Sequence, residues 1–116
     1  MPPAADDARA TFLQQPLREQ VAQIAGHFGQ VASSIRTNEP AEAVTRLCGE
    51  AQQRCEWAVA QSRGELQRLL LNVQTALRTW REVWPRLGHQ QEFRAAVSRE
   101  AERWSKRLQV LASTVT

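Results

Sequence analysis

The sequence predicts an all-α protein: a helical bundle with a long central helix over about residues 40–84, flanked by two shorter helices and completed by dimerisation. Three observations predict it. Apolar residues recur at spacings of three and four through three long segments, the signature of amphipathic helices. Leu, Ala, Gln, Glu and Arg dominate, which suits helices, and there are only five glycines and five prolines among 116 residues. Three of those prolines, Pro16, Pro40 and Pro85, fall where an apolar seam starts or stops. The alternative fold is a monomeric up-down four-helix bundle with a turn near Gly64. In either form the chain reads as one domain over residues 1–116, with residues 1–6 expected as a flexible N-terminus.

The clearest seam comes first. Leu17, Val21, Ile24, Phe28, Val31 and Ile35 alternate by four and three, an unbroken heptad pattern. Pro16 suits the first turn of that helix. A preceding piece around Asp7 to Gln15, carrying Phe12 and Leu13, is expected to be helical too, with a kink at Pro16. The stretch Arg36–Pro40 ends the helix and starts the next, with Asn38 expected as an N-cap and Pro40 in the first turn.

From Ala41 a second seam runs through Val44, Cys48, Ala51, Cys55, Ala58, Ser62, Leu66, Leu69, Val73, Leu77, Trp80 and Trp84. Gly64 interrupts it. Ser62 and Glu65 have capping-box spacing, which favours a break. Against a break, a helix hairpin normally places Gly first, at the residue that closes the helix, and the capping side chain after it; here the order is reversed. The seam also keeps its helical phase through Gly64, which favours one helix about 65 Å long. Pro85 ends it near Trp84 and Gly88 makes the turn. The last helix, about Gln90 to Ser113, turns Phe93, Val97, Ala101, Trp104, Leu108 and Leu111 inward.

A continuous central helix implies a partner. The two flanking helices cover only half of it each, and exposed apolar surface costs roughly 25 cal/mol per Å². A symmetric dimer, with four helices at each end, removes that cost.

Composition narrows the class. Hydrophobic residues make up 42% and charged residues 23%, too apolar for a disordered chain. No apolar run reaches the length of a membrane span, and Asp6 and Asp7 with no apolar segment argue against a signal peptide, so a cytoplasmic or otherwise intracellular protein is expected. Cys48 and Cys55 stand seven apart, about 10 Å along a helix, too far for a disulfide. They form no zinc-type spacing with His27 or His89 and are expected as free core thiols; neither a metal nor a cofactor is expected. No Glu-x-x-His pair, phosphate-binding glycine loop or nucleophile–base constellation appears. His27 lacks the Lys and Gly that follow the reactive histidine of phosphotransfer domains, and is expected at the core boundary.

What remains is a non-enzymatic interaction module, an adaptor, scaffold, chaperone or complex subunit of homodimeric, coiled-coil-like build, acting on protein partners. Its candidate contact residues are Trp57 and Leu71, which face away from the seam, and Arg78, Arg81 and Arg86 beside the terminal tryptophans. Ala22, Gly26, Gly29 and Ser33 share the back of the first long helix, where small side chains would admit a second backbone at close range. The alternative is a nucleic-acid-binding protein. Residues 78–116 carry +4 and residues 1–77 carry −1, and Arg beside Trp suits phosphate pairing with base stacking. Against it, Arg94, Arg99, Arg103 and Arg107 alternate with Glu92, Glu100 and Glu102, the expected look of a solvated face with ion pairs one turn apart.

Overall fold

The computed structural model describes residues 5–115, with five helices and no strand among them: α1 Ala5–Gln14, α2 Leu17–Arg36, α3 Ala41–Val59, α4 Gly64–Leu87 and α5 Gln91–Thr114. The flexible terminus expected over residues 1–6 lies partly outside the described residues; Ala5 and Asp6 open α1.

The two N-terminal helices follow the pattern of the sequence. Gln15 and Pro16 separate α1 from α2, and Pro16 accepts from the amides of Glu19 and Gln20 at the start of α2. All six residues of the first seam are buried except half-buried Leu17. The α2–α3 corner differs from expectation. Asn38 does not cap α3; it takes the left-handed conformation, φ 56°, and closes α2. The Asn38 amide donates to Ile35 O and the Glu39 amide to Ser34 O, the paired bonds of a Schellman motif. Asn tolerates left-handed φ better than other side-chain-bearing residues, which explains its place there. Pro40, φ −55° and ψ 152°, starts α3.

The continuous helix over 40–84 is not what forms. The chain breaks at residues 60–63, and α4 begins on Gly64 at φ +61°. The connection spans four residues, about one helical turn of sequence, so counting by 3.6 passes through it unchanged and phase cannot reveal it. Eleven of the twelve seam positions are buried all the same, and Leu66 is half-buried, because α3 and α4 lie side by side over one core. The turn is tied from several directions. Ser62 Oγ and Gln67 Nε2 both donate to Val59 O, and Gln20 Nε2 on α2 donates to Gln61 Oε1 at 2.8 Å and to Gln15 O at 2.9 Å. One fully buried glutamine thus joins the α1–α2 kink to the α3–α4 turn. The stripe that called for a second copy is covered within one chain.

Gly64 gives the turn a mutational signature. A Cβ there meets nothing within 4 Å, so only the backbone objects. Gly64→Ala is expected to destabilise the fold by about 1–2 kcal/mol in urea unfolding, with Gly64→Asn milder. In an unbroken helix the same change to alanine would stabilise by about 1 kcal/mol, so the sign alone decides.

Pro85 does not end α4. The helix runs on to Leu87, and the Gly88 amide closes it on Trp84 O at 2.8 Å. Two residues before the helix end, a proline costs the helix only the one hydrogen bond its missing N–H would have made.

The helices pack as a bundle measuring 40 × 37 × 20 Å. α2 lies along α5, α3 along α4, and α2 against α3, while α1 rests on α3. Phe28 meets Trp80 edge-on at 5.9 Å, and Trp84 meets Phe93 at 5.7 Å, so the end of α4 is wedged between α2 and α5. Elsewhere α4 and α5 touch far less than the other long pairs. Arg94 fastens the same end, donating to Gly88 O, Ile35 O and Asn38 Oδ1 while lying 5.5 Å over the Trp84 ring.

Candidate interaction surface

The outward residues of the sequence are dispersed. Trp57, on α3, is half-buried: Phe12 of α1 packs on its ring at 5.6 Å and the Arg54 guanidinium lies at 5.8 Å. Leu71 remains 46% exposed on the solvent side of α4. Arg78 and Arg86 are exposed; Arg81 is exposed too but leans on α3, 3.8 Å from a Cβ built on Gly49 and 3.5 Å from Gln52 Oε1. Trp57 thus lies on α3 and the other four on α4.

The small-residue face of α2 is divided as well. Ala22, Gly26 and Ser33 are exposed, and a Cβ on Gly26 would meet nothing. Gly29 alone meets α5, where a Cβ would stand 3.7 Å from Ser105 Oγ. That hydroxyl donates to Ala25 O at 2.9 Å, so α2 and α5 approach closely through Ala25, Gly29 and Ser105. The approach is internal to the chain.

The expected ladder of ion pairs along α5 is absent. Among the described residues the ion pairs are Arg36–Glu102 and Arg46–Glu50, and none lies within α5. Glu102 turns to Arg36 on α2, and Arg94 is spent on two backbone oxygens and Asn38 Oδ1. Tertiary geometry draws these two out of the alternating pattern, leaving Arg99, Arg103 and Arg107 exposed without a carboxylate partner among the described residues.

A cleft lies where α4 and α5 part, and a smaller depression on α5 adjoins it. The cleft, of about 590 Å³, lies between Arg68, Leu69 and Asn72 of α4 and Arg107, Val110 and Leu111 of α5, with Glu65 at its end. The depression, of about 320 Å³, is bordered by Glu100, Arg103, Trp104 and Arg107. Arg107 is common to both, and its guanidinium lies over the Trp104 ring at 5.5 Å. The Trp104 Nε1–H is shut off from solvent with no acceptor among the described residues. Val110 is 65% exposed, the most open large apolar side chain described. Periodicity places Trp104 and Leu111 on the inner face of α5, and they do lie at its edge, half-buried. The signal that marks this edge as more than core is Val110, an apolar residue adjoining the seam with no place in it.

The remaining polar and nucleophilic groups have structural surroundings. His27 Nδ1 lies 2.9 Å from Gln23 O, and Nε2 lies 3.7 Å from Glu50, at the edge of the core. Cys48 and Cys55 are buried and free. Burial pushes both thiols up to about 12, opposed at Cys48 by Arg81 and reinforced at Cys55 by Glu56. Neither is expected to react with a disulfide reagent at pH 8 in the folded protein, and both should react at once in denaturant. Because folded values lie above the unfolded value near 9, the neutral thiols stabilise the fold fully below that pH. Stability is expected to fall as pH rises from about 9 towards 12, less steeply in Cys48→Ala.

Comparison with family models, with curated proteins and with solved structures finds no match to this chain.

Proposed function

We propose that the protein is a non-enzymatic interaction module that acts on protein partners through its helix surfaces, as an adaptor, scaffold, chaperone or complex subunit. The observation that carries this reading is the open α4–α5 edge, where Val110 stands in solvent beside half-buried Leu111 and Trp104. Apolar side chains gathered at a cleft and rimmed by charge are the usual composition of a contact surface. A photo-crosslinking residue at position 110, introduced into the full chain in its own cells, tests it. Discrete protein adducts, competed by added wild-type protein, support the reading; adducts to nucleic acid alone, or none, overturn it.

A second reading, nucleic-acid binding, is favoured by the exposed arginines of the C-terminal third, Arg78, Arg81 and Arg86 among them. It requires binding that weakens steeply with salt and is lost on substituting Arg78, Arg81 and Arg86 by Ala. Self-association loses its main motive with the turn at Gly64, so light scattering is expected to return 13.1 kDa over a wide concentration range.

A further inference from the structure

We infer that the cleft between the first half of α4 and the second half of α5 receives one amphipathic helix of a protein partner, with acidic residues along the middle of its apolar stripe. The inference rests on the interaction reading and makes it specific. Both walls of the cleft are helices that pack intimately with other helices on their far sides, α4 with α3 and α5 with α2, and only loosely with each other. The place left open is therefore a missing bundle position, and a further helix is the element that fits between two such walls.

The floor and rims state the chemistry of that helix. Trp104 and Leu111, seven apart on α5, and Val110 beside them offer indole and aliphatic surface along one wall, suited to the apolar stripe of a helix. Arg68 on α4 faces the cleft from one side and Arg107 on α5 from the other, with Arg103 beside Arg107 in the adjoining depression on α5. None of the three has a carboxylate within ion-pair distance among the described residues, and Glu102 of α5 is engaged by Arg36. Glu65 and Glu100 also line the cleft, but near its two ends. The positive charge is thus concentrated midway, where a partner's Glu or Asp would gain charge-assisted hydrogen bonds. Nucleic acid fits less well: the floor is largely aliphatic, and the Trp104 face on which a base could stack is taken by Arg107.

The test is a selection with the intact protein from a displayed library of helix-forming peptides, randomised at all outward positions. The expected winners carry Leu, Ile or Phe at one stripe with Glu or Asp flanking its centre. Their affinity should fall at least tenfold for Val110→Asp and for the Arg103→Glu, Arg107→Glu pair, whose side chains are exposed and whose loss should lower thermal unfolding only by the small Arg107–Trp104 contact. Leu71→Asp, at an exposed α4 position outside the cleft lining, should have no effect. Winners that bind equally well to the cleft variants overturn the cleft while leaving the interaction reading standing. Winners with basic flanks, or displaced by single-stranded oligonucleotide at low salt, overturn the stated partner chemistry. No enrichment at all overturns both.

Discussion

Trp84→Ala is expected to destabilise the fold by about 3–5 kcal/mol, the range for emptying a large aromatic site in a packed core. Trp84 is 1% exposed, packs on Phe93 at 5.7 Å and lies under the Arg94 guanidinium at 5.5 Å. It closes the only end where α4 and α5 meet firmly, so its loss removes a transfer term, an aromatic pair and a cation contact together. For a domain whose total stability is of order 5–15 kcal/mol, that is a large share. Urea unfolding should show a midpoint lower by 1–3 M, and Trp84→Phe should recover more than half of the loss. A cost under 1 kcal/mol would mean that this corner does not hold the bundle together.

Gly88→Ala is expected to cost about 1–3 kcal/mol, for a steric reason and not a conformational one. Gly88 has φ −66° and ψ −9°, which any residue adopts. A Cβ there would lie 2.7 Å from Trp84 Cε2 and from Trp84 O, and 2.8 Å from Nε1. The indole has no room to retreat, so either the ring or the end of α4 must shift. Double-mutant cycles with Trp84→Leu should show coupling above about 1 kcal/mol, since a smaller side chain removes two of the three clashes. Purely additive costs would contradict this geometry.

How much of this could be read from the sequence depended on which force decided each feature. Burial decided the seams, and burial leaves a period: Val21 to Ile35, and Val97, Ala101 and Leu108, lie inside as their spacing requires. The turn at Gly64 was decided by backbone conformation and by distant hydrogen bonds. Gln20 lies 41 positions from the Gln61 it holds, and no periodicity encodes that bond. Phase failed there for a simple reason, since four residues amount to nearly one turn of helix. Asn38 carried a double meaning, because the short polar side chain that caps a helix start also tolerates the left-handed residue that closes a helix end.

The surface was less legible. Trp57 reads as exposed until Phe12 is folded over it, and Gly29 reads like Gly26 until α5 selects one of them. The alternating charges of α5 suggest ion pairs between neighbours one turn apart, yet Glu102 and Arg94 both leave that pattern for partners on other elements. The unpaired arginines of the cleft are what this departure leaves behind. Val110 was the one visible trace, an apolar residue that the seam does not need.

The central claim is that one chain folds back at Gly64 and closes its own core. The direct measurement is an intrachain spin-label distance between Arg46→Cys on α3 and Glu82→Cys on α4, both exposed, diluted with unlabelled protein. The buried native thiols remain unlabelled in the folded state. With α3 and α4 packed side by side, as the proximity of Gly49 and Arg81 requires, the labels should lie about 20 Å apart. A peak near 54 Å, the length of 36 residues of unbroken helix, would contradict the turn and restore the long helix with its need for a second copy.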